Sequence, residues 1–150
     1  MMKKYLVLII FFVLLLNACS EQTEETTTQE NETKLEMVDS NYILESVDNS
    51  NVVLLDVRTE KEFSEGHIPN AVMVDRYSAL NENGDLKSVG ELEFLFSNVD
   101  KNKEIIVYCR SGRRAGLAAE AMTKKLGFEN VKIYQGSMND WNSKNLTIEQ

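Results

Sequence analysis

One histidine, one proline and two cysteines occur in the 150 residues. A single histidine cannot build a multi-histidine metal site. Two cysteines cannot hold together a disulfide scaffold. One proline and 7 glycines exclude a collagen-like repeat. Basic residues are also scarce, with Lys+Arg 16 against Asp+Glu 24 and a net charge of -8. That balance argues against a nucleic-acid partner attracted by bulk charge. What is present is 43% hydrophobic and 27% charged residues. This is the composition of one small acidic globular domain with short appendages, whose chemistry must rest on few residues.

No apolar run is long enough to span a bilayer comfortably, which takes roughly 20 residues. The run Leu6 to Leu16 is short and follows Lys3 and Lys4. A basic start, a short apolar core and a small residue before the cut describe an export signal. Leu16-Asn17-Ala18-Cys19 resembles a bacterial lipobox. The resemblance implies a signal peptide over residues 1–18 and lipidation of Cys19, with the membrane as partner and an extracytoplasmic location. The alternatives are ordinary signal cleavage, or an uncleaved anchor with Cys19 incidental. Residues 19–34, from Ser20 through Thr33 in particular, offer nothing to bury. They are expected to stay a solvated tether spanning about 20 Å. Its acidic residues, Glu21 to Glu32, are not expected to hold calcium, because nothing fixes their geometry.

From Leu35 onward the pattern becomes that of a folded domain, residues 35–150. Val52 to Leu55, Ile105 to Tyr108 and Val131 to Tyr134 are short β-branched or aromatic runs, and Ala71 to Val74 is a weaker fourth. Continuous apolar runs suit strands covered on both faces. Helical signals lie between them. Asp39 or Ser40 can cap a helix carrying Ile43, Leu44 and Val47. Thr59 with Glu62, and Ser88 with Glu91, have capping-box spacing. Ala115, Ala118, Ala119, Met122 and Leu126 form one apolar face, closed by Lys124, Lys125 and Gly127. Strands alternating with helices predict an α/β domain with a mainly parallel sheet and helices on both faces. Asp75 to Lys87 reads as a surface loop.

If Cys19 carries lipid, Cys109 has no partner in the chain, and a lone thiol in an oxidising compartment draws attention. Cys109 follows the run Ile105-Ile106-Val107-Tyr108 and precedes Arg110-Ser111-Gly112-Arg113-Arg114. This is the carboxyl end of a strand in an open α/β sheet, the usual place for a site. Gly112 permits a turn that aims main-chain N–H groups and a helix N-terminus at the sulfur. No acidic residue lies between Glu104 and Glu120, while Arg110, Arg113 and Arg114 supply three cations. Cations and helix terminus both favour thiolate, so a lowered pKa is expected. The bland alternative is a small buried hydrophobe beside solvent-facing arginines.

In this region the chain resembles the rhodanese-like sulfurtransferase family. The resemblance covers roughly Val38 to Trp141. It rests on Leu54-Leu55-Asp56-Val57-Arg58, on Glu62-Phe63, and on Glu65-Gly66-His67-Ile68-Pro69-Asn70-Ala71. It continues through Ile106 to Ala115, through Leu126-Gly127-Phe128, and from Tyr134 and Gly136 to Trp141. Membership implies a single parallel-sheet α/β domain and a cysteine, Cys109, that carries sulfane sulfur as a persulfide, with no cofactor and no metal. The expected partners are a small anionic sulfur donor such as thiosulfate, and a thiol, cyanide or protein acceptor; a monomer suffices. Where the family often has a second glycine this chain has Ser137, which is expected to alter a turn rather than the chemistry. Phosphatases resembling the fold use Cys-x5-Arg, whereas Cys109 to Arg114 is Cys-x4-Arg, one residue too short for that pattern.

The main-chain N–H groups of Arg110 to Arg114 are expected to hold the terminal persulfide sulfur. Arg110 and Arg113 are candidates for attracting the donor, and by the family's pattern Arg114 braces the loop. The resemblance also places Asp56 and Arg58 near the site. Their plainer role is an internal pair, with Arg58 bonded to Glu62 or with Asp56 capping a turn. His67 has the right intrinsic pKa for a general base, but its surroundings read more readily as a structural turn. Trp141 reads as core. The reading from a different functional class is a non-catalytic, membrane-tethered module that binds a partner or senses persulfide.

Overall fold

The computed structural model describes residues 35–74, 81 and 87–150. The export signal, Cys19 and the tether lie outside the described residues, as does most of the loop expected over 75–87. All described residues belong to one unit, Thr33–Gln150.

Five strands form one sheet: β1 (Glu36–Val38), β2 (Val52–Asp56), β3 (Val72–Met73), β4 (Glu104–Tyr108) and β5 (Val131–Tyr134). Their order is β1-β5-β4-β2-β3, and every neighbouring pair is parallel. Each of the three longer strands coincides with one of the β-branched or aromatic runs. β4 lies at the centre, and its side chains alternate between two apolar layers. Ile105 and Val107 join one layer, Ile106 and Tyr108 the other. Burial on both faces is why the strand reads as an unbroken hydrophobic run.

Helices cover both faces. On one lie α3 (Val89–Leu95) and α4 (Arg113–Leu126), burying Leu92, Ala115, Ala118, Ala119 and Met122 against β4 and its neighbours. On the other lie α1 (Ser40–Ser46) and α5 (Ser137–Ser143), burying Ile43, Met138 and Trp141. The short α2 (Glu60–Ser64) buries no residue. Its capping box is complete: Thr59 Oγ1 accepts from Glu62 N, while the Glu62 carboxylate accepts from Thr59 N. At α1 the Asp39 carboxylate accepts from Tyr42 N at 3.0 Å. The Glu91 carboxylate reaches back to Ser88 N and Oγ at the start of α3.

Several local features depart from the sequence pattern. Leu44, expected with Ile43 and Val47 as an apolar residue of α1, is 50% exposed, while Ile43 is buried and Val47 packs partly buried beside it. β3 is two residues long rather than four, because it only extends the edge beside β2. β1 and α5 have no clear pattern of their own. β1 is an edge strand with Met37 58% exposed, held by pairing with β5. α5 begins at Ser137 with a positive φ of 52° and has no side-chain cap.

The order of strands places the site. From β2 the chain moves outward to β3, whereas from β4 it moves the other way to β5. The connections therefore diverge at the carboxyl ends of β2 and β4, and such a switch point leaves a crevice open to ligands. Asp56 ends β2, and Cys109 directly follows β4.

Gly127 closes α4 with φ of 70°, and a Cβ there would meet only open space. Gly127→Ala is therefore expected to cost only the left-handed backbone penalty, about 1 kcal/mol, in denaturant unfolding.

Candidate active site

Cys109 is held by elements distant in sequence. The loop Arg110–Gly112 joins β4 to α4, and Gly112 turns the chain with φ of 87°. A Cβ on Gly112 would lie 2.5 Å from the Gln135 carbonyl oxygen, so no side chain fits there. Glycine is required twice over, by conformation and by the approach of the loop after β5. Gly112 N donates to Cys109 Sγ at 3.2 Å. The start of α5 fastens the other side: Met138 N donates to Cys109 O at 3.1 Å, and Asn139 N to Arg110 O at 3.0 Å. Fully buried Ser137 donates its hydroxyl to Tyr134 O at 2.8 Å and accepts from Cys109 N at 3.1 Å. Its oxygen lies 4.0 Å from Sγ.

Cys109 is 1% exposed and joins the apolar layer beneath α4, as the bland alternative would have it. Its electrostatics are not those of a buried hydrophobe. Burial pushes the thiol up, but the N–H groups of Ala115, Ser111, Gly112 and Arg114 together pull it down further. The thiol ends below its ordinary value. Of the two causes expected from the sequence, main-chain N–H groups and arginine charge, the main-chain groups lead. They include Ala115, which lies beyond the arginine-rich stretch, and the Arg114 guanidinium also interacts with the thiolate. Arg110 and Arg113 are exposed. Water screens charges at such positions, whereas the N–H dipoles point into the buried space around the sulfur.

Arg114 forms a bidentate pair with Glu62, at 2.8 Å and 2.7 Å, and its guanidinium still interacts with Cys109. Hydrogen bonds from Arg114 hold the Glu62 carboxyl down at about 2, with burial opposing and Thr59 assisting. Glu62 thus serves both the α2 cap and the cysteine loop. A depressed carboxylate stabilises the fold at neutral pH and loses that contribution as pH falls below its ordinary 4.5 towards about 2.

Asp56 is fully buried and Arg58 nearly so. Arg58 Nε donates to Asp56 Oδ2 at 2.9 Å, and Arg58 N donates to Oδ1 at 2.9 Å, closing a turn after β2. Arg58 Nη2 also donates to Gly66 O at 2.8 Å. The partner of Arg58 is therefore Asp56, while Glu62 is taken by Arg114. Burial first, and then the charge of Asp56, push the Tyr108 phenol up. The ring of His67 stacks on Phe63, and its Nδ1 lies 3.1 Å from Phe63 O. Its Nε2 lies 3.8 Å from Glu149, and the His67 and Glu149 backbones exchange two hydrogen bonds of 2.9 Å. These contacts make His67 a fastener for residues near 149.

Ser137 and the Glu62–Arg114 pair were not assigned to the site from sequence. Only the fold brings Ser137 to Cys109, across 28 positions, and Glu62 to Arg114, across 52. A pocket of about 450 Å³ opens next to the loop, lined in part by Arg58, Gly66, Arg110, Met138 and Asn142. Among the described residues no cluster of three or more His, Cys, Asp or Glu side chains could hold a metal ion.

Because main-chain donors set the thiol's acidity, thiolate absorbance followed against pH should rise below the ordinary thiol range. Arg110→Ala and Arg113→Ala should shift its midpoint little. A midpoint at or above about 8.5 in the unaltered protein would contradict this account.

The family model for the Rhodanese-like domain matches residues 39–144. Thiosulfate:glutathione sulfurtransferase of Saccharomyces cerevisiae is 40% identical over 95 residues, covering 61% of this chain and 65% of the yeast protein. Thiosulfate sulfurtransferase of Corynebacterium glutamicum is 33% identical over 106 residues, covering 60% of this chain and 35% of that protein. The matched region thus spans only about a third to two thirds of these relatives' lengths. Among solved structures, a rhodanese-related protein from Thermoplasma volcanium aligns with a TM-score of 0.58 and 20% identity, over 76% of this chain and 97% of that one. An EanB variant, in complex with ergothioneine covalently linked to a persulfide cysteine, aligns with a TM-score of 0.68 and 21% identity, over 76% of this chain and 32% of that one. At these identities the structural likeness speaks for the fold alone. With the strand order, the cysteine loop and a family match running from Asp39 to Lys144, the chain belongs to the rhodanese-like domain family.

Proposed function

We propose that the protein is a sulfurtransferase that moves sulfane sulfur through a persulfide on Cys109. The observation that carries the proposal is a buried sulfur at the carboxyl end of β4, enclosed by the loop that turns into α4, with Gly112 N donating to Cys109 Sγ at 3.2 Å. Such main-chain donation suits an anionic sulfur in the resting state and a partly negative terminal sulfur once loaded.

In the first half-reaction the Cys109 thiolate attacks the outer sulfur of thiosulfate. A new S–S bond forms, the donor's S–S bond breaks, and sulfite leaves with its electron pair. In the second, a nucleophilic acceptor attacks the terminal sulfur, and the electron pair of the broken bond returns to Cys109 as thiolate. The acceptor is cyanide in an assay and a thiol or a protein in the cell. Exposed Arg110 and Arg113 draw the anionic donor towards the loop. Support for a thiosulfate donor and a thiol acceptor comes from the names of the relatives in Corynebacterium and yeast. The Cys-x4-Arg loop is one residue shorter than the Cys-x5-Arg of phosphatases, and Arg114 at its end is tied to Glu62.

Incubation with thiosulfate is expected to add the mass of one sulfur atom to the protein, removable by cyanide and absent in Cys109→Ser. Aryl phosphates should not be turned over. Cys109-dependent phosphatase activity, or no sulfur on Cys109, would overturn the proposal. A sulfur that loads but that no acceptor removes would favour the sensing module instead.

The lipobox-like Leu16 to Cys19 supports a further part of the same proposal, that the domain works outside the cytoplasmic membrane on a lipid anchor at Cys19. Cys19→Ala should abolish fractionation with membranes as a processed lipoprotein. Unchanged fractionation of the processed form would remove the anchor.

A further inference from the structure

Ser137 opens α5 with φ of 52°, a left-handed conformation that costs any residue with a side chain. It is 0% exposed, so water does not exchange for its partners. Its oxygen meets three groups of the cysteine site. Cys109 N donates to it at 3.1 Å, it donates to Tyr134 O at 2.8 Å, and Cys109 Sγ lies 4.0 Å away. The segment that carries it is fixed on both sides. Tyr134 Oη donates to the Asp140 carboxylate at 2.7 Å, and a Cβ on Gly136 would come within 2.5 Å of Asp140 Cβ. A glycine at position 137 would suit the backbone better, but it would leave the Cys109 N–H without this acceptor.

A serine hydroxyl has one proton, which it gives to one acceptor at a time. Here the two acceptors are a neutral carbonyl and a sulfur whose charge changes during the cycle. When Sγ is anionic, a hydrogen bond to it is charge-assisted and stronger than one to the carbonyl. When the persulfide forms, negative charge moves outwards to the terminal sulfur, and the carbonyl is again the better acceptor. We propose that Ser137 is a catalytic residue of sulfur transfer, whose hydroxyl turns from Tyr134 O to Cys109 Sγ as the persulfide is cleaved and stabilises the departing thiolate. The proposal rests on the sulfur-transfer reading above and adds the group that assists its second half-reaction. With cyanide as acceptor, a C–S bond forms as the S–S bond breaks, thiocyanate leaves, and the electron pair of the broken bond stays on Sγ. The serine proton remains on its own oxygen throughout; only its direction changes.

The charge on Sγ is faced from α4 by the Arg114 guanidinium, itself paired with Glu62. At the end of β2, Asp56 and Arg58 are bonded to each other. The first three residues of α5, Ser137, Met138 and Asn139, carry no charge, and Asp140 is held by Tyr134 and Lys144. The hydroxyl is therefore what α5 contributes to the anion. Its donation favours discharge over loading, because Sγ gains negative charge in discharge and gives it up in loading.

Ser137→Gly and Ser137→Ala both delete the hydroxyl but differ in backbone strain, since only glycine relieves the left-handed conformation. The whole chain is compared in denaturant unfolding, in thiolate absorbance against pH, and in the separate half-reactions by stopped flow. Loading by thiosulfate is followed well above the thiolate midpoint, and discharge is started with cyanide. Both variants should discharge about threefold more slowly, and the thiolate midpoint of both should rise by about half a pH unit, the same factor. Loading should slow in neither, although Ser137→Ala should be the less stable of the two. Unchanged discharge in both variants, or an unchanged midpoint in both, would overturn the proposal. So would a discharge defect confined to Ser137→Ala, which tracks backbone strain instead of the hydroxyl. If Cys109 of the unaltered protein takes no sulfur, the transfer reading fails separately. The midpoint then decides alone whether the hydroxyl serves the anion: a rise in both variants supports it, and no rise overturns it.

Discussion

A sulfur atom shut away from water favours the neutral thiol, because burial penalises charge. Cys109 is almost inaccessible, yet its pKa lies below the ordinary value. The main-chain N–H groups around Sγ resolve this conflict, and much of the surrounding structure exists to aim them. They converge only if the chain turns left-handed at Gly112 and enters α4 at Arg113. That turn in turn needs a residue without a side chain, since Gln135 occupies the space a Cβ would take. The loop after β5 and the first turn of α5 then close on the cysteine's own backbone. Ser137 accepts its N–H and Met138 donates to its carbonyl, leaving neither group orphaned.

The charged residues near the loop divide into those that build and those that face solvent. Asp56 with Arg58 closes the turn after β2, and Arg114 with Glu62 ties α4 to α2. Pairs of this kind, partly or wholly desolvated, serve position more than net stability, because desolvation offsets much of their attraction. Their effect is to hold the two strand ends, the loop and the turn at Gly66 in one arrangement. Arg110 and Arg113 have no such duty, and Arg110 is the cation left to the pocket. The local excess of positive charge visible in the sequence is therefore smaller in effect than its count, since one of its three members is neutralised by Glu62.

Much of this architecture was legible in the chain. β2, β4 and β5 are continuous apolar runs because both faces of the sheet are covered. The boundaries of α2, α3 and α4 follow from caps whose partners lie within a few residues: Thr59 with Glu62, Ser88 with Glu91, and Gly127 after Leu126. The place of Cys109 at a strand end before a helix was equally local. β1 and α5 were not legible. One is held by pairing with β5, the other by docking on the Cys109 loop, and neither has a periodicity of its own.

What the sequence determined by itself are therefore the quantities set by near neighbours: element type, caps, the place of Cys109 at a strand end, and a loop of Cys-x4-Arg size. The tertiary structure decided what depends on residues far apart in the chain. It made Glu62 the partner of Arg114 and left Asp56 to Arg58. It turned Ser137 from a turn residue into a contact of Cys109, and it added Ala115 to the main-chain groups that lower the thiol's pKa. The physical reason is that hydrogen bonds and desolvation act over a few ångströms of space. A sequence pattern reports such distances only within a helical turn or along a strand.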